Sequence, residues 1–540
     1  MLVMLDELNN ILYDENPEMK YWERLSNISF FFADLDELGI SDEIYIKMNS
    51  RGKPLTPFEH FKAELDSVIL NSDFTEKIDT NWTDIFWNIR EDNGVELPVI
   101  DDSILRYIHF VANIICFKKN GNEAPEDDFE MIKEVYTDKA NQELLEKALD
   151  AWVGIDSEEF FGHWFTSNQP SGNSFLVNIR QSINLLKKLS RGEEPYIRNI
   201  LLLWGCVTYL MNRDKVSEKD FRTRIRVLRN LTLNSENEYR KERYSTIVTE
   251  TEQLILTGTI NLDTNSFNPQ QKNEEANKLK WIKDNDEEHE LQLSTLENNN
   301  LLLGSTSLIG TDNYSYFETF NQTFKDSYNE NEWIEISRAL LTYEDISYKE
   351  NYWRVLIPGK NSSIWRSFFG PNTNANFRER AHTAISGLLK DIKEGSSCSQ
   401  IIVTWISHLD KYDWRYYFIK YPIIIKKSQY GKYWFPGETK GCHFYTMHTP
   451  LSTSGRHWEG ILLALSNENG WYLGDYGNGL TLEGTNIYLI NEQHSAIIKE
   501  TILDNQTEDL ETINIEYDGH YDLKDRVIFM RQLLKKYKTS

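Results

Sequence analysis

The sequence predicts a multidomain α+β chain with a large, mainly α-helical middle and a β-rich C-terminal region that ends in a helix. Three observations predict it. The 540 residues exceed one ordinary domain, and 40% hydrophobic with 13% aromatic content supplies several packed cores. Through the middle of the chain apolar residues recur every three to four positions, the spacing of a buried helix face. After residue 398 β-branched and aromatic runs separated by turn residues take over.

In chain order, residues 1–75 read as a mixed α/β module: an amphipathic helix, strands at "NISFFFADL" and "DEIYIKM", a polar turn and a second helix. Residues 76–262 read as a helical domain in which Ile104, Ile108, Val111 and Ile115 line one face. The apolar run "RNILLLWGCVTYLMNR" is shorter than the roughly 20 residues that cross a bilayer and is flanked by charge, so it reads as a buried core helix. Residues 263–397 read as a second mainly helical region. Its opening, "LDTNSFNPQQKNEEANKLKWIKDNDEEHE", is so poor in apolar residues that it predicts an exposed polar linker. Residues 398–540 form the β-rich domain: "QIIVTWI", "WRYYFIKYPIIIK" and "GILLALS" read as strands, and Asn469-Gly470 and Asn478-Gly479 as two-residue hairpin turns. "DRVIFMRQLLKKYKTS" closes the chain as a basic amphipathic helix.

Lys and Arg number 58 against 84 Asp and Glu, a formal charge of -26, which repels a polyanion at long range. DNA is therefore expected only at local basic patches. Arg222, Arg226 and Arg229 keep helical spacing and make the best one, with intramolecular ion pairs as the alternative use of those charges. "SGRHWEG" offers Arg456 and His457 as a second nucleic-acid contact or, equally, as neighbours of a packed Trp458. Cys116, Cys206, Cys398 and Cys442 lie far apart with no paired spacing, so reduced thiols and a cytoplasmic location are expected. The first residues lack the pattern of a signal peptide, and no membrane partner is expected. Cys442, His443, His448 and His457 cluster in sequence, but their spacing fits neither a zinc knuckle pair nor a two-His helix face, and no metal ligand set is assigned. Phosphate-loop, dinucleotide and nucleophile-elbow motifs are absent.

The stretch "YIKMNSRGKPLTPFEHFKAELD", residues 45–66, passes from strand through a polar, basic turn into a helix. Thr56 fits the N-cap, Pro57 the first helical position and Glu59 the return arm of a capping box. Gly52 can take positive φ or admit a close neighbour, and Asn49 can bond across the turn. Lys47, Arg51 and Lys53 gather near a helix N-terminus, which suits an anion such as a phosphate; a well-made turn is the competing reading.

Tyr45, Asn49, Gly52 and Leu55, followed by Phe58-Glu59 and Lys62, resemble the second signature of the N-terminal domain of GmrSD-type restriction proteins. The resemblance implies a ParB/sulfiredoxin-like module and a role in bacterial phage defence. If active, such a protein would be a nucleotide-dependent DNA endonuclease, with a nucleoside triphosphate and Mg2+ as the cofactors implied. It places Asn49, Glu59 and Lys62 as the catalytic set, and Lys47, Arg51, Gly52 and Lys53 around the phosphate. The family's first signature, an Asp-Gly-Gln-Gln-Arg run upstream, does not occur in the 48 residues before Asn49. The chain thus resembles a member that begins partway through its first domain, whose site would be completed by an upstream half or a protein subunit, or whose activity is lost. In that last case the chain would be a non-catalytic scaffold or remnant. The family also implies an HNH-like nuclease; Glu288-His289 with Asn298–Asn300 is the nearest local candidate, and it reads equally as an acidic helix and a loop.

Overall fold

The computed structural model describes residues 56–69, 72–89 and 100–538, apart from short interruptions at 169, 171, 194–195, 326, 350–353, 372–373, 429, 436–441, 443, 448–456, 470–471, 474–478, 483–484, 491–494, 502–506 and 515; for 457–459, 466–515 and 533–538 the backbone alone is described. The helix and two strands expected before residue 50 lie outside these residues. The chain divides after Glu64 into two compact units. Helix α1 (Pro57–Val68) opens within the first unit, where Phe58 and Phe61 are buried and their rings stack 6.2 Å apart.

In the second unit, α2 (Ile100–Asn120) buries the expected face, Ile104, Ile108, Val111 and Ile115. Tyr107 on this helix donates its hydroxyl to the Ala148 carbonyl at 2.8 Å and accepts from Trp152 Nε1 at 3.0 Å, so a polar atom in the core is fully used. Helix α3 (Ile197–Leu210) is apolar on nearly every side and buried accordingly. It packs against α4 (Glu218–Leu233) and α5 (Lys241–Thr257). Among the described residues no helix is long and apolar enough to cross a membrane.

The stretch expected to be an exposed linker is two helices, α6 (Pro269–Asp284) and α7 (Glu287–Glu297). Asn268 caps α6 through the Gln270 and Gln271 N–H groups, with Pro269 at its first position. Gln271, Lys272, Glu275 and Lys278 are buried, so this helix packs through polar side chains where the sequence rule reads low hydrophobicity as exposure.

A second core runs from Leu293 to Met530. It joins α8 (Phe317–Thr323), α9 (Glu330–Tyr343) and α10 (Ala375–Lys393) around the fully buried Trp365, whose indole N–H donates to the Gly359 carbonyl. The expected strands of residues 398–465 are largely helical. "QIIVTWI" lies in the helix Cys398–Ser407, "WRYYFIK" forms α11 (Trp414–Lys420) and "GILLALS" opens the helix Gly460–Asn469. Strands do follow, in two five-stranded sheets. One orders Tyr348–Lys349, Val355–Leu356, Lys432–Trp434, Tyr445–Met447 and His457–Glu459 side by side; the other is an antiparallel meander over 472–514. The fold is thus α+β and mostly helical, with small separate sheets.

The closing helix, α12 (Arg526–Lys538), is tied to α11 through Asp525. One carboxylate oxygen caps the Val527 and Ile528 N–H groups; the other accepts from Tyr416 Oη at 2.6 Å, Tyr421 Oη at 2.7 Å and Lys420 Nζ at 2.7 Å. Asp525→Ala removes a cap and leaves two tyrosine hydroxyls and an ammonium without their acceptor. We expect a loss of about 3–5 kcal/mol in urea unfolding, whereas Lys420→Met, on a partly exposed side chain, costs less.

Candidate functional site

Of the residues picked out at the first element, Glu59 and Lys62 are described; Lys47, Asn49, Arg51, Gly52 and Lys53 lie outside the described residues. Helix α1 starts where the capping pattern puts it. Thr56 N donates to Glu59 Oε2 at 2.6 Å and Glu59 N donates to Thr56 Oγ1 at 3.2 Å, the reciprocal pair of a capping box. His60 N already bonds the Thr56 carbonyl, and Pro57 has no N–H, so among the described residues only the Phe58 N–H is left over at this helix start. The Glu59 carboxylate also places negative charge on the positive end of the helix. An anion here would therefore be held by the basic loop and not by a row of free backbone donors. Glu59 caps the helix through Oε2.

The arginine stripe on α4 faces inward. Arg226 and Arg229 are buried, and Arg222 is partly so. Arg222 pairs with Glu287 at 3.2 Å and Glu290 at 3.6 Å, and its guanidinium lies 3.7 Å from the Phe175 ring centroid. Arg226 donates to the Phe175 carbonyl at 2.9 Å with Glu297 at 3.7 Å; Arg229 donates to the Glu297 carbonyl and to Asn298 Oδ1. Burial lowers the pKa of both, that of Arg229 to about 10, so both remain charged at neutral pH. The expected DNA contact is thus closed to Arg226 and Arg229: they have no solvent face, and they face Phe175, Glu297 and Asn298 instead.

That turn and α6 complete the cluster. Lys278 Nζ reaches Glu274 at 2.7 Å, Glu275 at 2.9 Å and Glu297 at 2.9 Å, and it also donates to the Gly304 carbonyl. Burial opposes the charge on Lys278, but Glu274, Glu275 and Glu297 outweigh it and raise its pKa. Asn230 bridges Glu275 and Glu297 from α4. Gly304, at φ +92°, has to be glycine, since a Cβ there would sit 2.2 Å from the Asn230 amide. Asn298, Asn299 and Asn300, considered above as part of a nuclease motif, stitch this turn to its surroundings. Asn298 and Asn300 accept from Asn178, and Asn299 donates to Asn321 and to the Phe324 carbonyl. His289 lies in the first turn of α7, its ring held by Asp286 at 2.6 Å.

Cys442 is buried, with its Sγ against the Tyr412 carbonyl at 3.0 Å and its N–H on Asp522; burial pushes the thiol well above its ordinary range. His443, His448 and Arg456 lie outside the described residues. His457 opens the strand His457–Glu459, and of it only the backbone is described. Among the described residues no three His, Cys, Asp or Glu side chains gather as a metal site. No family model, curated protein or solved structure matches this chain.

Two outcomes follow from this geometry. Glutamine also serves as the return arm of a capping box, so Glu59→Gln should leave the melting temperature and any nucleotide affinity unchanged, while Thr56→Ala should cost about 0.5–2 kcal/mol of stability; calorimetry and thermal melts check both. Burial pushes the Glu275 carboxyl up to about 7 from 4.5, with Lys278 pulling the other way. The folded state then binds more protons than the unfolded one between these values, so stability falls as pH rises from about 4.5 to 7 and levels off above. In Glu275→Gln that slope should flatten, with a difference of up to about 3 kcal/mol between urea titrations at pH 5 and pH 8.

Proposed function

We propose that this chain is a component of a GmrSD-like phage-defence or restriction system and that its 45–62 element handles the phosphate of a nucleotide or of DNA. The observation that supports it most is the reciprocal Thr56–Glu59 cap. It starts a stable helix at the point where the family signature needs one, directly after the loop carrying Asn49, Arg51, Gly52 and Lys53 and with Lys62 a turn further on. In this reading Lys47, Arg51 and Lys53 supply charge, Asn49 and Gly52 shape the loop, Lys62 is the remaining candidate for direct contact, and Glu59 fixes the helix. The Asp-Gly-Gln-Gln-Arg element that the family pairs with this loop does not occur in these 540 residues, so cleavage itself would draw on a further segment or subunit.

A second reading, a non-catalytic scaffold of such a system, draws support from the α4 stripe. The cations that best suited a DNA contact are committed to internal carboxylates.

Titration calorimetry with ATP and GTP in the presence of Mg2+ tests the first reading. The full chain should bind one of them, and Arg51→Ala with Lys53→Ala should weaken binding at least tenfold at an unchanged melting temperature. No binding, or binding indifferent to these substitutions, would turn the assignment toward the scaffold.

A further inference from the structure

A cleft of about 1100 Å3 opens beside α7 and α8. A second cavity of about 500 Å3 lies between α8, α9 and the end of α10. Gln322 and Lys325 line both, so the two adjoin at these residues, and together they are called the groove. The larger cleft alone reaches the upper end of the roughly 300–1,000 Å3 typical of small-molecule pockets.

The lining of the larger cleft includes several half-used amides. Asn321 spends its oxygen on Asn299 and keeps its N–H2. Gln292 and Gln322 spend their N–H2 on Glu288 and Glu318 and keep their oxygens. The Asn173 side chain makes no hydrogen bond among the described residues. Spare donors and acceptors thus both occur in the lining, and a peptide backbone, with its N–H and C=O groups, can use both.

Charge separates along the groove. Lys325 is exposed and its side chain has no ion pair or hydrogen bond among the described residues. Lys393 on the same cleft uses one donor on the Ser315 carbonyl. The second cavity carries Glu332 and Glu335, each with one oxygen already engaged, by Asn329 N and Ser399 Oγ, and one to spare. A phosphodiester strand would meet Glu318, Glu332 and Glu335 along its path, and a neutral oligosaccharide would leave both charged ends unused.

We propose that this groove binds an extended peptide segment of a partner protein, with an acidic residue over Lys325 and Lys393 and a basic residue toward Glu332 and Glu335. The inference stands apart from the phosphate reading of residues 45–62; it would give the scaffold reading its partner chemistry, and it is tested with a different probe.

The probe is a positional-scanning library of fluorescein-labelled, N-acetylated and C-amidated octapeptides, measured by fluorescence polarisation on the full chain. Pools with Asp or Glu at one position and Lys or Arg several residues away should bind. Lys325→Glu should weaken those pools at least tenfold and strengthen pools that carry a basic residue at the acidic position, while Asn321→Leu weakens all binding pools alike. Lys325 is exposed, so its reversal should leave the melting temperature unchanged. The proposal fails if no pool binds, if Lys325→Glu leaves the charge preference as it was, or if an oligosaccharide or single-stranded oligonucleotide binds in a Lys325-dependent way and the peptides do not. Because ATP and GTP titrations do not involve Lys325, loss of the phosphate reading leaves this result standing, and the reverse holds too.

Discussion

The second unit is organised around an internal charge balance. Lys278 is surrounded by Glu274, Glu275 and Glu297 within 2.9 Å, and Arg226 and Arg229 on the facing helix α4 bring further positive charge beside Glu297. Ions out of water are costly unless each is paired and its remaining hydrogen bonds are met. That condition dictates the surroundings: the Asn230 bridge, the glycine at 304 that lets the backbone pass it, and the Gly304 carbonyl turned toward Lys278. Such a cluster adds little net stability over an apolar core of the same volume, yet it penalises every other register of α4, α6 and α7, because a slip would leave a buried charge alone.

This explains why the sequence was readable in one half and misleading in the next. On α2 the buried face is apolar, and its period is visible at once in Ile104, Ile108, Val111 and Ile115. On α6 the buried face is Gln271, Glu275 and Lys278, with the same helical period but the opposite polarity, so a hydrophobicity rule assigns it to solvent. The information was nevertheless present. Arg222, Arg226 and Arg229 on α4 have the same four-then-three spacing as Gln271, Glu275 and Lys278 on α6. Two polar stripes of equal spacing, one wholly cationic and the other carrying an acid, are what a buried ionic seam looks like before folding.

The helices after residue 398 illustrate a different failure. β-branched and aromatic residues favour strands on average, but that preference yields readily to context. Local capping decided the outcome: Ser397 and Gln400 form a reciprocal capping box before "IIVTWI", and Asp413 caps the Tyr416 N–H before "YYFIK". Both caps are legible as short polar patterns ahead of the runs, as was the Thr56–Glu59 pair that correctly set the start of α1. At the candidate site the sequence therefore located the helix and its cap, including Glu59 as the return arm of the capping box.

The charge economy also bears on how this chain could meet its partners. A protein with a formal charge of -26 does not draw polyanions from a distance. Turning Arg226 and Arg229 inward takes them out of the local patch that the sequence offered against that repulsion. Any contact with phosphate then has to be short-ranged and built into a small constellation, as the loop at residues 47–53 would be, and its affinity should owe more to hydrogen-bond geometry than to steering. A peptide faces no such barrier, because its own charges can match a groove that is cationic near Lys325 and anionic near Glu335. The commitment of Arg226 and Arg229 to the interior thus leaves the second unit without the cationic stripe that the sequence offered for nucleic acid.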